Sequence, residues 1–273
     1  MLADAEQSNI EKLSEMTKPL PPTQKPARPS VSSWLFRSVT GLLRKRVKVP
    51  VEPKVARAKE RPVPPTKAET ALLPPFPGLC HSAIFVPKTR AECQAAADEI
   101  LAAGVTGFDT EAKPTFRPGE KSGGPHVVQF ALTDKAYIFQ LHRRDCLNVV
   151  ALLIESEQVL KVGFGLKNDY GQIRNRLGVV PGAVLDLDHV FRKKGYGSQM
   201  GVRAAMGAVL CLSFPKSKTI TTSNWAAAEL TAKQLRYAAN DAFAALKIME
   251  ALNLEPGEIS GNRRPGRSPV RHS

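Results

Sequence analysis

Four cysteines stand in the 273 residues, Cys80, Cys93, Cys146 and Cys211, and none has CxxC or CxxH spacing. Such scatter argues against a zinc site or a disulfide framework and suits a reducing compartment. Long apolar runs are missing too, since none approaches the roughly 18 residues that a membrane span requires. The first residues include Asp4, Glu6, Glu11 and Glu15, which speaks against a secretory leader or a transit peptide. These absences lead to the expectation of a cytoplasmic chain without a membrane span. No internal repeat is visible.

Hydrophobic residues make up 42% of the chain, enough for a real core, and the length allows one sizeable domain with tails or two small domains. Net charge is +14 and the pI about 9.8, which favours a polyanionic partner. Residues 1–75 carry 14 Lys/Arg against 7 Asp/Glu, residues 76–254 carry 21 against 16, and the last 19 carry 4 against 2. Half of the excess therefore sits in the N-terminal segment, and the remainder is only moderately basic.

Residues 1–78 read as a mostly disordered, basic tail. Thirteen of the 22 prolines lie there, and such sequence favours extended conformations that bury too little surface to fold. One island, "SSWLFRSVTGLLRKRVKV" at 32–49, sets Trp34, Leu35, Val39, Leu42 and Leu43 on one face of a short helix before a basic run. It reads either as a contact for a protein, membrane surface or nucleic acid or as a solvated linker. Residues 255–273 read as a second, shorter basic tail.

Between 79 and 254 helical and extended patterns alternate. "KTRAECQAAADEILAAG" is an amphipathic helix stopped by Gly104, and "VTGFDTE" a short strand. "HVVQFALT" and "AYIFQL" form a hairpin through Thr133-Asp134-Lys135. "DCLNVVALLIES" is a helix, "QVLKVGFG" a strand, and "KNDYGQIRNRLG" a helix ended by Gly178. "AVLDLDHVF" turns from strand to helix, "SQMGVRAAMGAVLC" is helical, and "LRYAANDAFAALKIMEAL" closes the domain as a helix. This order predicts an α/β domain, one sheet with helices on both faces.

The last helix carries an acid in an unexpected place. At 100° per residue, Arg236, Asn240, Lys247 and Glu250 share a polar arc, whereas Leu235, Ala238, Ala242, Ala245, Leu246 and Met249 form the apolar face. Asp241 and Tyr237, one turn apart, flank that apolar face. A carboxylate turned toward a buried side needs a partner or a metal. Two further acidic places offer one. Asp109 and Glu111 form D-x-E at a strand end, where period-two alternation sends both carboxylates to one side. Asp169 follows the strand and turn "VGFGLKN" at a helix start.

Each piece has an ordinary use: D-x-E as a solvated edge, Asn168-Asp169 as an N-cap, Tyr237 and Asp241 as a local hydrogen bond. In combination they suggest carboxylates whose mutual repulsion a divalent cation would relieve. Two such ions about 4 Å apart stabilise the attacking and leaving oxygens of phosphodiester cleavage.

In this order, "GFDTE", "GFGLKNDYGQI" and "LRYAANDAFAALKI" resemble the three motifs of the DEDD superfamily of 3′–5′ exonucleases. The similarity is to the branch with tyrosine in the last motif, which includes ribonuclease D and the Werner-type exonuclease domain. "VVQFAL" and "KSKTITTSNW" support it, and the resemblance covers about residues 80–252. It implies a ribonuclease H-like fold and a site of Asp109, Glu111, Asp169, Tyr237 and Asp241, with the four acids holding two divalent cations, Mg²⁺ or Mn²⁺. By that resemblance Asp109 bridges both ions, Glu111 and Asp241 complete the more buried one, and Asp169 holds its ion partly through water. Tyr237 hydrogen-bonds the attacking water, and a nucleic acid with a free 3′ end loses nucleoside 5′-monophosphates.

Lys113, Arg117 and Lys121 beyond the first motif, His126 at the start of the next strand near that motif, Lys167 and Arg174 flanking the second, and Arg236 before Tyr237 are candidates for substrate contact. For each, a solvated surface position is the plain alternative. Trp225, Phe108 and Phe164 read as packing residues. Fewer than 25 residues follow the last helix, so neither the additional domains of full-length ribonuclease D nor an attached helicase is expected. Two other readings remain. Basic tails could tether nucleic acid beside an idle nuclease-like domain, or the same centre could act only on very short oligonucleotides. DNA and RNA are not distinguished.

Overall fold

The computed structural model describes residues 61–115, 119, 123–197, 200–255 and 258–259, and the backbone of 263–264. The expectations for 32–49, Arg117, Lys121 and most of 255–273 lie outside these residues.

Helix starts follow local chemistry. Thr89 caps α2 (Arg90–Ala103) in a reciprocal capping box with Glu92, and Gly104 ends the helix in the left-handed conformation that costs glycine little. Thr231 and Gln234 form the same box at the start of α8 (Ala232–Leu252). A third, from Thr66 and Glu69, opens α1 (Lys67–Ala71). This last helix is a correction, because 67–71 falls inside the span expected to be a disordered tail. Thr70 is buried there, and Pro75 pairs with Ser213, so the folded region begins earlier than proline content suggests. Proline favours extended backbone but does not prevent an extended segment from being strapped to a neighbour.

Among the described residues seven strands form one mixed sheet. They are β1 (Ile84–Phe85), β2 (Val105–Glu111), β3 (Val127–Ala131), β4 (Ala136–Gln140), β5 (Leu160–Gly163), β6 (Val184–Asp186) and β7 (Arg263–Arg264), in spatial order β1-β4-β3-β2-β5-β6-β7. β3 and β4 pair antiparallel through the expected hairpin and β2 pairs antiparallel with β3, whereas β2, β5 and β6 run parallel. β2 is the fourth of seven, so its C-terminal end opens at the middle of the sheet.

One face packs on α2, α3 (Arg144–Glu155) and α4 (Tyr170–Leu177) through Ile100, Phe108, Phe130, Phe139, Leu153 and Ile173. The other packs on α5 (Leu187–Lys193), α6 (Val202–Leu210) and α8. Residues alternate between the faces: Phe108, Val128 and Phe130 join the first, while Val127 and Ala131 lie under α8. Burying each such large apolar side chain contributes about 1.5–3 kcal/mol. Trp225 belongs to the α8 cluster and is 1% exposed, as expected; Phe164 is half-buried and stacks on Phe191.

The cysteines correct a second expectation. Cys93 on α2 and Cys146 on α3 form a disulfide, with Cα atoms 5.6 Å apart and a sequence separation of 53. Helix packing brought together thiols whose spacing carries no signature, so the scattered cysteines cease to argue for a reducing compartment. Cys80 and Cys211 are free and exposed. Among the described residues no helix is long and apolar enough to cross a membrane.

Candidate metal centre and active site

Asp109 and Glu111, two apart on β2, face α8, and Asp241 on that helix is 5% exposed. The close approach depends on Gly107. A Cβ there would stand 1.9 Å from the carbonyl oxygen of Ala242, so only glycine lets α8 lie this near the strand. One carboxylate oxygen from each of Asp109, Glu111 and Asp241 lies within 4.8 Å of the others.

Such proximity is costly without a counter-ion. Burial first, then the charge of Asp241, pushes Asp109 up to about 8 against the pull of Lys216. Burial, then Asp109 and Asp241, pushes Glu111 up to about 9. Burial raises Asp241 too, with Lys216 and Tyr237 opposing. Among the described residues neither oxygen of Asp241 accepts a well-angled hydrogen bond, although Lys216 Nζ lies 3.0 Å from Oδ2. Converging hard oxygens with open coordination capacity fit a divalent cation.

Asp169 stands at the N-cap position of α4, yet its side chain makes no capping bond. Instead the hydroxyl of Thr110, the residue between the two strand acids, donates to Asp169 Oδ1 at 3.1 Å. Burial, with some repulsion from Asp186, raises Asp169 to about 6 despite that bond. Asp169 lies outside the group of three but near enough for its charge to raise both Asp109 and Glu111.

Tyr237 is half-buried, its ring 6.0 Å from that of Trp225 and its hydroxyl 2.8 Å from that of Thr221. Burial and then the charge of Asp241 raise its pKa, so the phenol keeps its proton at neutral pH. Lys216 Nζ lies 5.8 Å from the Tyr237 ring centre. Burial alone would lower the pKa of this lysine, but Asp241, Asp109 and Tyr237 outweigh it and hold the ammonium charged. With Asp109, Asp241 and Phe164, Lys216 lines a cavity of about 180 Å³.

Sequence reasoning missed Lys216, which in "FPKSKT" looks no different from Lys218. It also missed Gln129, which pairs in register with Asp109 and is wholly buried. Among the described residues neither amide atom of Gln129 has a hydrogen-bond partner. A buried polar residue in the otherwise apolar "VVQFA" was the available signal.

The expected substrate contacts are dispersed. Lys113, Lys167 and Arg174 are exposed, and Arg236 is exposed beside Tyr237 on α8. His126 accepts from the backbone N–H of Lys113 through Nδ1 at 3.1 Å, which puts its proton on Nε2. Its own N–H bonds Glu111 O, so His126 braces the chain leaving the first acidic motif.

A sequence model described as 3′–5′ exonuclease matches residues 84–255. A relative named 3′-5′ exonuclease, from Arabidopsis thaliana, is 30% identical over 159 residues, covering 57% of this chain and 55% of that protein. The chain thus spans about half the length of that relative. The EXO domain of Aedes aegypti Nibbler superposes with a TM-score of 0.55 at 24% identity, over 67% of this chain and 96% of that one. Trypanosoma brucei RNase D, in complex with RNA U12, gives a TM-score of 0.56 at 20% identity over 63% of each chain. The likeness to these structures shows the ribonuclease H-like fold. The family match spans more than half of the chain and contains every member of the acidic cluster: this chain belongs to the 3′–5′ exonuclease domain family.

Proposed function

We propose that the chain is a metal-dependent 3′–5′ exonuclease that removes nucleoside 5′-monophosphates from a nucleic acid strand. The observation that carries this reading is the meeting of Asp109, Glu111 and Asp241 within 4.8 Å, with Asp169 beside them. Asp109, Glu111 and Asp241 would hold one Mg²⁺ or Mn²⁺ ion, and Asp169 with Asp109 would help to hold a second. Bound there, the ions lower the pKa of water and offset charge on the attacked phosphate.

The remaining work falls to the chain itself. Tyr237, protonated and set against Thr221 and Trp225, directs the nucleophile by donating a hydrogen bond rather than by removing a proton. Thr110 orients Asp169 through its hydroxyl. Lys216 supplies a fixed positive charge beside Asp241, suited to a phosphate oxygen of the substrate. Tyr237 in the last motif supports reading the chain as a member of the tyrosine branch of the DEDD enzymes. Support for a nucleic acid substrate comes from the RNA complex of the T. brucei RNase D, to which this chain is similar in fold.

The test uses 5′-labelled DNA and RNA oligonucleotides, single-stranded and 3′-recessed, with Mg²⁺ or Mn²⁺. A ladder shortening from the 3′ end, abolished by EDTA and by Asp109→Ala, is expected. Equal cleavage by wild type and Asp109→Ala would overturn the assignment, and cleavage confined to very short oligomers would narrow it.

A further inference from the structure

A groove of about 440 Å³ runs beside Tyr237 and is separate in its lining from the acids. Phe76, Phe214 and Tyr237 supply aromatic surface, and Asn240 lies with them. Lys233 and Arg236, exposed and three residues apart on α8, put two cations on its border. No acidic side chain among the described residues lines it. Its size falls within the roughly 300–1,000 Å³ of small-ligand sites.

The aromatic wall includes a residue from outside the exonuclease domain match, which begins at residue 84. Phe76 is held firmly for a residue in a proline-rich stretch. Its N–H donates to Ser213 O at 2.9 Å, and Ser213 N–H returns a bond to Pro74 O at 2.7 Å. Its ring packs 5.8 Å from Phe214 and 5.7 Å from Phe243. Three residues on, Leu79 N–H donates to Asn240 Oδ1 at 2.8 Å. The wall is therefore built before any ligand arrives.

We propose that this groove binds a nucleobase of the substrate strand, with Lys233 and Arg236 on the adjoining phosphates, so that the segment preceding the exonuclease domain takes part in substrate capture. Stacking surface edged by cations is the chemistry that recognises single-stranded nucleic acid without reading its sequence. Charge selects this occupant: an apolar peptide would gain nothing from the two cations, whereas a phosphodiester strand presents an anion for each base. Tyr237 lies in the wall, so a strand seated here is beside the acidic centre. This inference rests on the exonuclease reading for its substrate class.

The test reads binding and leaves cleavage aside. Full-length protein carrying Asp109→Ala is titrated into a fluorescein-labelled single-stranded oligonucleotide, RNA or DNA, and anisotropy is followed across a salt series. Adding Lys233→Ala with Arg236→Ala should weaken binding about tenfold at moderate salt. The slope of log affinity against log salt should become shallower by about 1.4, the value for two single-strand phosphate contacts. Phe76→Ala should weaken binding about tenfold at every salt concentration with the slope kept, as expected for a lost stacking surface. Thermal melting checks each variant, and the exposed Lys233/Arg236 pair decides the matter if Phe76→Ala fails to fold. Unchanged affinity and slope in the well-folded double variant would overturn the proposal and leave the groove to a protein partner. The exonuclease reading stands apart, because it is decided by cleavage: it falls if wild-type protein shows no EDTA-sensitive cleavage or if Asp109→Ala cleaves equally well.

Discussion

The two faces of the sheet treat buried polarity differently. On the side of α2 and α3, Phe108, Phe130, Phe139 and Leu153 form an apolar core. A wholly buried lysine there, Lys161, is satisfied by the carbonyls of Leu153 and Ser156 at the end of α3. Under α8, by contrast, three acids crowd together, and Asp241 and Gln129 have buried polar atoms without good partners among the described residues. Native proteins rarely leave such groups unpaired. One sheet thus carries a face organised for stability and a face that tolerates strain where chemistry is proposed.

The sharpest way to break this contrast is Asp109→Ala. Cleavage should drop at least a thousandfold, and the rise in melting temperature on adding Mn²⁺ should vanish. The metal-free protein should be no less stable than wild type, because a repelling charge has gone; clear destabilisation would show that the cluster serves the fold instead. Next in size is Gly107→Ala. Its Cβ meets the Ala242 carbonyl at 1.9 Å, and displacing α8 should cost about 3 kcal/mol in denaturant unfolding. A neutral result would mean that the helix need not lie so close.

Tyr237→Phe should slow turnover about a hundredfold, the scale of one lost transition-state hydrogen bond, while Mn²⁺ affinity measured by calorimetry stays the same. On the opposite face, Cys146→Ser should lower stability by about 2 kcal/mol and leave kcat unaltered. A wild-type stability curve for that variant would deny the disulfide a structural role. Thiol titration of the unfolded protein before reduction should find two reactive cysteines, Cys80 and Cys211.

The smallest effect concerns pH. Folding raises Asp109 to about 8 and Glu111 to about 9, from ordinary carboxylate values of 3.8 and 4.5. Between about pH 4 and pH 9 the metal-free native state therefore holds more protons than the unfolded chain, and its stability falls as pH rises. Melting with a chelator at pH 5.5 and pH 8.5 should show a drop of a few degrees, and the gain from added Mg²⁺ or Mn²⁺ should be larger at the higher pH. A flat or rising profile would contradict the crowding of the acids.

Much of the scaffold was legible because it follows local rules. The Gly104 and Gly178 stops and the 133–135 hairpin depend on neighbours within a few residues. Asp109 and Glu111 could be placed on one side because strands alternate, and Asp241 on a buried flank because helices repeat every 3.6 residues. Asp169 was harder, since its position allowed a cap. That it takes the Thr110 hydroxyl instead depends on a residue 59 positions away.

Sequence alone settled most elements between 79 and 254, their order, and which acids stand at strand and helix positions able to converge, since periodicity and turn chemistry act over short stretches. Only the tertiary structure decided the Cys93–Cys146 pair, the Lys216 contact with Asp241, the isolation of Gln129 and the strapping of Phe76 beside Tyr237. Each joins residues far apart in the chain, and such contacts arise from how helices and strands pack. That is why α8 can bring Asp241 to Asp109 only where Gly107 leaves room for it.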